Sequence, residues 1–137
     1  MTNSRTKGRA GEQELVRILK DELRLDIRRN WMAQNAEKLH ADIMDVPGWA
    51  IEVKRAKVPR FPDWWAQAAA QALQCHRKPV LIYRLDRQPW LAQMSLYDLM
   101  PELQDHSSVT LSLTSWCKLV RRELDGAESG TPKAPQP

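Results

Sequence analysis

The chain has 137 residues, 42% of them hydrophobic, which suits one domain around one core and argues against disorder. No apolar run approaches the ~20 residues of a membrane helix, and the polar, basic stretch Met1 to Ala10 does not read as a secretory signal, so a cytoplasmic protein is expected. A net charge of +4 permits a polyanionic partner without requiring one, and Cys75 and Cys117 are too far apart in sequence for a CxxC metal or redox motif.

From Gly8 to Leu23, Leu15, Ile18, Leu19 and Leu23 recur at three and four, which predicts an amphipathic helix with Arg17, Lys20, Asp21 and Arg24 outside. A strand is expected near Asp26 to Ala33, then a loop at "AEKLHA". Asp42 to Asp45 and Trp49 to Lys54 read as two strands joined around Val46-Pro47-Gly48, where Pro fixes φ and Gly accepts a positive one. After the basic loop "KRAKVPRFP", Asp63 is the expected N-cap of a helix, "WWAQAAAQALQCH", ending near His76. "KPVLIYR" has the continuous apolar character of a central strand, and "PWLAQM" that of a paired edge strand starting at Pro89. A short helix weakened by Pro101 ("SLYDLMPEL"), a short strand ("SVTLSL") and a closing helix ("TSWCKLVRREL") capped by Thr114 or Ser115 follow. The Gly- and Pro-rich segment 126–137 is expected to be a disordered tail, leaving residues 1–125 as the domain. This order predicts an α/β fold, a mixed central sheet flanked by helices.

The chemistry centres on "GWAIEVKRAK". Residues two apart on a strand share a face, so Glu52 and Lys54 leave the sheet together while Ile51 and Val53 enter the core. An odd loop, such as Val46-Pro47-Gly48, puts Asp42 directly across from Glu52; an even one puts the two acids on opposite faces. Two carboxylates so close need a cation between them, and a divalent metal with hard oxygen ligands meets that need. Lys54 beside it would orient the attacking water or stabilise charge developing on a phosphate. Arg5, Lys7, Arg9, Arg28, Arg29, Arg55, Lys57 and Arg60 would form a phosphate-binding surface around this strand.

The spacing "AD…IEVK" resembles the PD-(D/E)xK nucleases, with Ala41 in place of the motif's Pro. "KGRAGEQELVRIL" is similar to the opening helix of archaeal and phage Holliday junction resolvases. The resemblance spans roughly residues 7–57 and implies a restriction-endonuclease-like fold. It also implies a Mg²⁺-dependent endonuclease for branched DNA, with Mn²⁺ able to substitute. Carried over position by position, Glu12, Asp42, Glu52 and Lys54 are the catalytic set, with Glu14 a surface residue beside it. Metal ligands would be Asp42, Glu52, the Val53 carbonyl and, in support, Glu12. A glutamine on the helix after the motif strand often faces such sites, and Gln67 and Gln71 are the candidates. Two symmetric nicks in a two-fold junction require a homodimer, with Trp90 and Trp116 as interface candidates. Nucleases of this kind also cut duplex ends or flaps. A rival reading is a non-catalytic DNA-binding protein using "TSWCKLVRREL" as a recognition helix; a mostly helical fold would favour it.

Overall fold

The computed structural model describes the backbone of residues 4–30 and 40–128, and the side chains of 8–30 and 40–126. Helix α1 (Ser4–Leu23) is followed by strand β1 (Trp49–Ala56), helix α2 (Phe61–Cys75) and strand β2 (Lys78–Leu85). Strand β3 (Leu91–Ser95), the one-turn helix α3 (Leu96–Leu99), a 3₁₀ turn at Pro101–Leu103, strand β4 (Ser108–Ser112) and helix α4 (Leu113–Glu128) complete the order. Within the described residues the strands form one sheet ordered β1-β2-β3-β4, with β1 and β2 parallel and the other pairings antiparallel. The expected α/β architecture is what forms. It is not the mostly helical fold of the rival reading. No helix among the described residues is long and apolar enough to cross a membrane.

Two layers of helix cover the sheet because its strands are apolar on both faces. Ile51, Val53, Val80, Ile82, Ala92 and Met94 pack with Leu15, Leu19 and Leu23 of α1 and with Trp116 and Val120 of α4. On the opposite face Leu81 and Tyr83 meet Trp64 and Ala68 of α2, where small side chains let the helix lie close. Trp90 and Trp116, expected at a dimer interface, are instead buried, and Trp116 stands edge-on to Trp49 at 5.3 Å.

Several local expectations are corrected. Residues 26–30 form no strand and lie beside 41–45 without a ladder, held by Arg28 N–H to Asp45 Oδ2 (2.8 Å) and Asn30 N–H to the Asp42 carbonyl (2.8 Å); Trp31 to Ala33 lie outside the described residues. The Asp42–Asp45 strand reduces to a single antiparallel bridge, Ile43 to Ile51. Asp63 lies inside the first turn of α2, where its charge suits the helix dipole, and Arg60 takes the cap position with Pro62 just inside. β3 is an interior strand, flanked by β2 and β4, rather than an edge. The Ser112 hydroxyl, not Thr114 or Ser115, caps α4 by accepting the Ser115 N–H (3.1 Å). That helix runs to Glu128, and the rest of the segment expected to be a tail lies outside the described residues.

Candidate active site

Everything in the site depends on one turn. Trp49 N–H closes onto the Val46 carbonyl (3.1 Å), and Gly48 takes φ +85°, the left-handed position that a residue without Cβ occupies freely. Ile43 then faces Ile51, so the same register sets Asp42 across from Glu52. The N–H groups of both Asp42 (2.9 Å) and Ile43 (3.2 Å) donate to the Ile51 carbonyl, a bulge-like doubling that bends the chain at Asp42. Its carboxylate is thereby turned onto β1, where Oδ2 accepts the Val53 N–H at 2.8 Å.

Glu52 is buried, only 2% exposed. Lys54 Nζ lies 3.2 Å from its Oε2, while its Oε1 has no hydrogen-bond partner among the described residues. Burial pushes the Asp42 carboxyl well above the usual carboxylate range, and the charges of Glu52 and Glu12 add to the effect, against the Val53 N–H. Burial also raises Glu52, opposed by Lys54 and by the nearby Asp42 and Gln71 side chains. Of the two glutamine candidates, Gln71 is buried and close to Glu52, with its own Oε1 unpartnered among the described residues, whereas Gln67 is exposed. The amide stripe therefore contributes one residue to the site.

Glu12 approaches from α1 and is held by Arg29, whose Nε donates to Oε1 at 3.1 Å. Arg29, expected to face DNA phosphates, thus pairs with a site carboxylate. Among the described residues no three His, Cys, Asp or Glu side chains already cluster as a metal cage. Asp42 and Glu52 make the close pair, and Glu12 adds its charge from further off.

Glu14 is more than a surface residue. Its Oε1 accepts Arg84 Nη1 (2.6 Å) and Trp90 Nε1 (2.8 Å), and Arg55 Nη1 lies 3.8 Å from Oε2. Partners 70 and 76 residues away leave no trace in local sequence. Arg55 also runs over Gly11, where an added Cβ would meet Arg55 Cβ at 3.0 Å, so the glycine lets α1 sit close to β1. Arg9, Arg28, Lys57 and Arg60 are exposed, and Arg28 pairs loosely with Asp26; the side chains of Arg5 and Lys7 lie outside the described residues.

A mixed sheet flanked by helices, with Asp42, Glu52 and Lys54 gathered at its β1 edge, defines a PD-(D/E)xK nuclease of restriction-endonuclease-like fold. The family model described as "Phage putative PDDEXK endonuclease" matches residues 3–126, and the chain belongs to that family. Its fold is similar to that of Hjc from Archaeoglobus fulgidus, a Holliday junction resolvase from an archaeal hyperthermophile. That likeness has a TM-score of 0.55 and 16% identity, and covers 80% of this chain and 97% of the other. No curated protein matches the sequence.

Proposed function

We propose that this nuclease is a divalent-metal-dependent endodeoxyribonuclease that cuts branched DNA, in the manner of a Holliday junction resolvase, as a homodimer in a bacterial or phage-infected cytoplasm. The observation that carries the reading is buried Glu52 and half-buried Asp42 side by side next to Lys54, with Glu52 Oε1 unpartnered among the described residues. Two adjoining carboxylates, one buried and one half-buried, are under-compensated by one ammonium, and a hard divalent cation fits this all-oxygen donor set.

Asp42, Glu52 and the Val53 carbonyl would hold Mg²⁺ or Mn²⁺, with Glu12 in support. A strand residue's N–H and C=O project to the same side, so the Val53 carbonyl shares the edge where its N–H meets Asp42. When bound, the ion supplies Lewis acidity at the scissile phosphate and lowers the pKa of water. Lys54, steadied by Glu52, donates to the attacking water or to the phosphate as charge grows there. Gln71, buried against Glu52, holds that carboxylate in place. Arg5, Lys7, Arg9, Arg28, Lys57 and Arg60 bind the DNA backbone; Arg29 and Arg55 share their charge with Glu12 and Glu14.

The family supports hydrolysis, and the fold's likeness to a resolvase supports the branched substrate. A labelled four-way junction and a matched linear duplex, each incubated with and without Mg²⁺, test the proposal. Paired nicks in the junction alone, and only with metal, are expected. Equal cutting of both substrates would move the reading to duplex ends or flaps. No cutting of either would remove it.

A further inference from the structure

Lys54, Tyr83 and Leu91 stand in one row across β1, β2 and β3, on the face covered by α2. Next to that row is a cavity of about 360 Å³, lined by Lys57, Tyr83, Leu85, Gln88, Pro89 and Leu91, with Asp86 at its turn. Strands ~4.8 Å apart put it roughly 5–10 Å from Lys54, within reach of the nucleotide adjoining a phosphate held there. We propose that this cavity receives one nucleobase of the bound DNA, swung out of its stack beside the bond that is cut. The inference rests on the nuclease reading and names what the site recognises: a strand whose base is free to leave the helix.

The lining has the composition a base requires. Tyr83, Leu85, Pro89 and Leu91 give apolar walls for the ring faces, and exposed Gln88 brings an amide, donor and acceptor together, for its hydrogen-bonding edge. Lys57, three residues beyond Lys54 on the same chain, supplies a cation for the flanking phosphate. The volume lies at the small end of the roughly 300–1,000 Å³ of ligand pockets, room for a base and not for a duplex.

The rim is held rigidly. Gln88 N–H closes the β2–β3 turn onto the Leu85 carbonyl (3.0 Å), and Arg84 Nε donates to the Gln88 carbonyl (3.0 Å). Arg84 also grips Glu14, two residues from Glu12, so the cavity and the catalytic helix share one brace. Within the turn, exposed Arg87 is fixed at φ +64°, a conformation that costs energy for a residue with Cβ and that concentrates at functional sites. Extrusion is cheapest where pairing is already broken, so the cavity would favour branched over continuous DNA.

Two measurements test this. In the first, 5-iodouracil is placed singly at each position around the cut of a four-way junction and irradiated with metal-free protein. One position beside the cut should crosslink to the segment Tyr83–Leu91; crosslinks confined to other segments overturn the proposal. In the second, wild-type protein with Mg²⁺ cuts junctions carrying one abasic nucleotide at each position in turn. A single position should lose about tenfold in kcat/KM. Gln88→Trp, which closes the mouth while keeping the turn's main-chain bonds, should show the same loss on intact DNA and no further loss on the abasic junction. A flat scan, or wild-type cutting by Gln88→Trp, overturns the cavity and leaves the nuclease reading intact. If the protein binds but does not cut, the nuclease reading fails, and the cavity is decided by whether a single position near the branch point crosslinks to Tyr83–Leu91.

Discussion

Asp42 and Glu52 face each other across the bridge beside β1 with a single ammonium nearby, so without metal Asp42 is costly to ionise: its burial comes first, and the charge of Glu52 adds to it. Asp42→Asn removes one charge and can keep the acceptor for the Val53 N–H. It should stabilise the metal-free protein at neutral pH by about 1–2 kcal/mol, read by thermal unfolding in EDTA. The sign follows from a carboxyl raised on folding. Below about pH 4 the acid is protonated folded or unfolded; as pH rises towards the native value only the unfolded chain releases its proton, and stability falls. The advantage of Asp42→Asn should therefore vanish near pH 4 and be complete above the native Asp42 value. Equal pH profiles would show that the pair is not a strained one. In catalysis, Glu52→Gln should lower cleavage at least about a hundredfold while metal-free DNA binding stays equal or tightens. Lys54→Ala should cut as poorly but bind slightly more weakly. Wild-type cutting by Glu52→Gln would return "IEVK" to a charged strand face.

Among the elements, α1 must be fixed both in height and in tilt to bring Glu12 within range of Asp42. Leu15, Leu19 and Leu23 supply burial, which is non-directional, whereas Glu14 supplies direction through Arg84 and Trp90. Glu14→Ala should cost about 1–2 kcal/mol in urea unfolding, a modest figure because the pair is a third exposed and water replaces part of the contact. At α4, Ser112→Ala should cost about 1 kcal/mol through the uncapped Ser115 N–H, while Thr114→Ala, away from the cap, should cost little. Equal effects of the two would refute the assigned cap.

For the whole molecule, binding carried by exposed Arg and Lys should weaken steeply with salt, linearly in log–log form, and replacing Arg60 or Lys57 should reduce the slope by about one each. A salt-independent affinity would contradict a backbone-binding surface. The proposed homodimer must use surface other than Trp90 and Trp116, both buried. Tyr97, Leu99, Met100 and Leu103 are the exposed apolar residues gathered in one segment. Sedimentation with junction should find a dimer at micromolar concentration, and Leu103→Lys should shift it towards monomer; a wild-type protein that stays monomeric counts against symmetric resolution.

Sequence alone determined what depends on near neighbours. The helix stripe of α1, the apolar run of β2 and the Pro47-Gly48 turn are local patterns; the turn left an odd or an even loop open, and the Ile43–Ile51 bridge decided for the odd one that sets Asp42 opposite Glu52. The face shared by Glu52 and Lys54 followed from strand periodicity. Tertiary structure decided what depends on distant partners and on competition for burial. β3 became interior because β4 pairs with it, a choice between strands that no single strand records. Gln71 rather than Gln67 entered the site because only one side of α2 meets the sheet. Arg29 was taken up by Glu12, and Glu14 by Arg84 and Trp90, because buried or half-buried charge must find a counter-ion wherever the fold brings one.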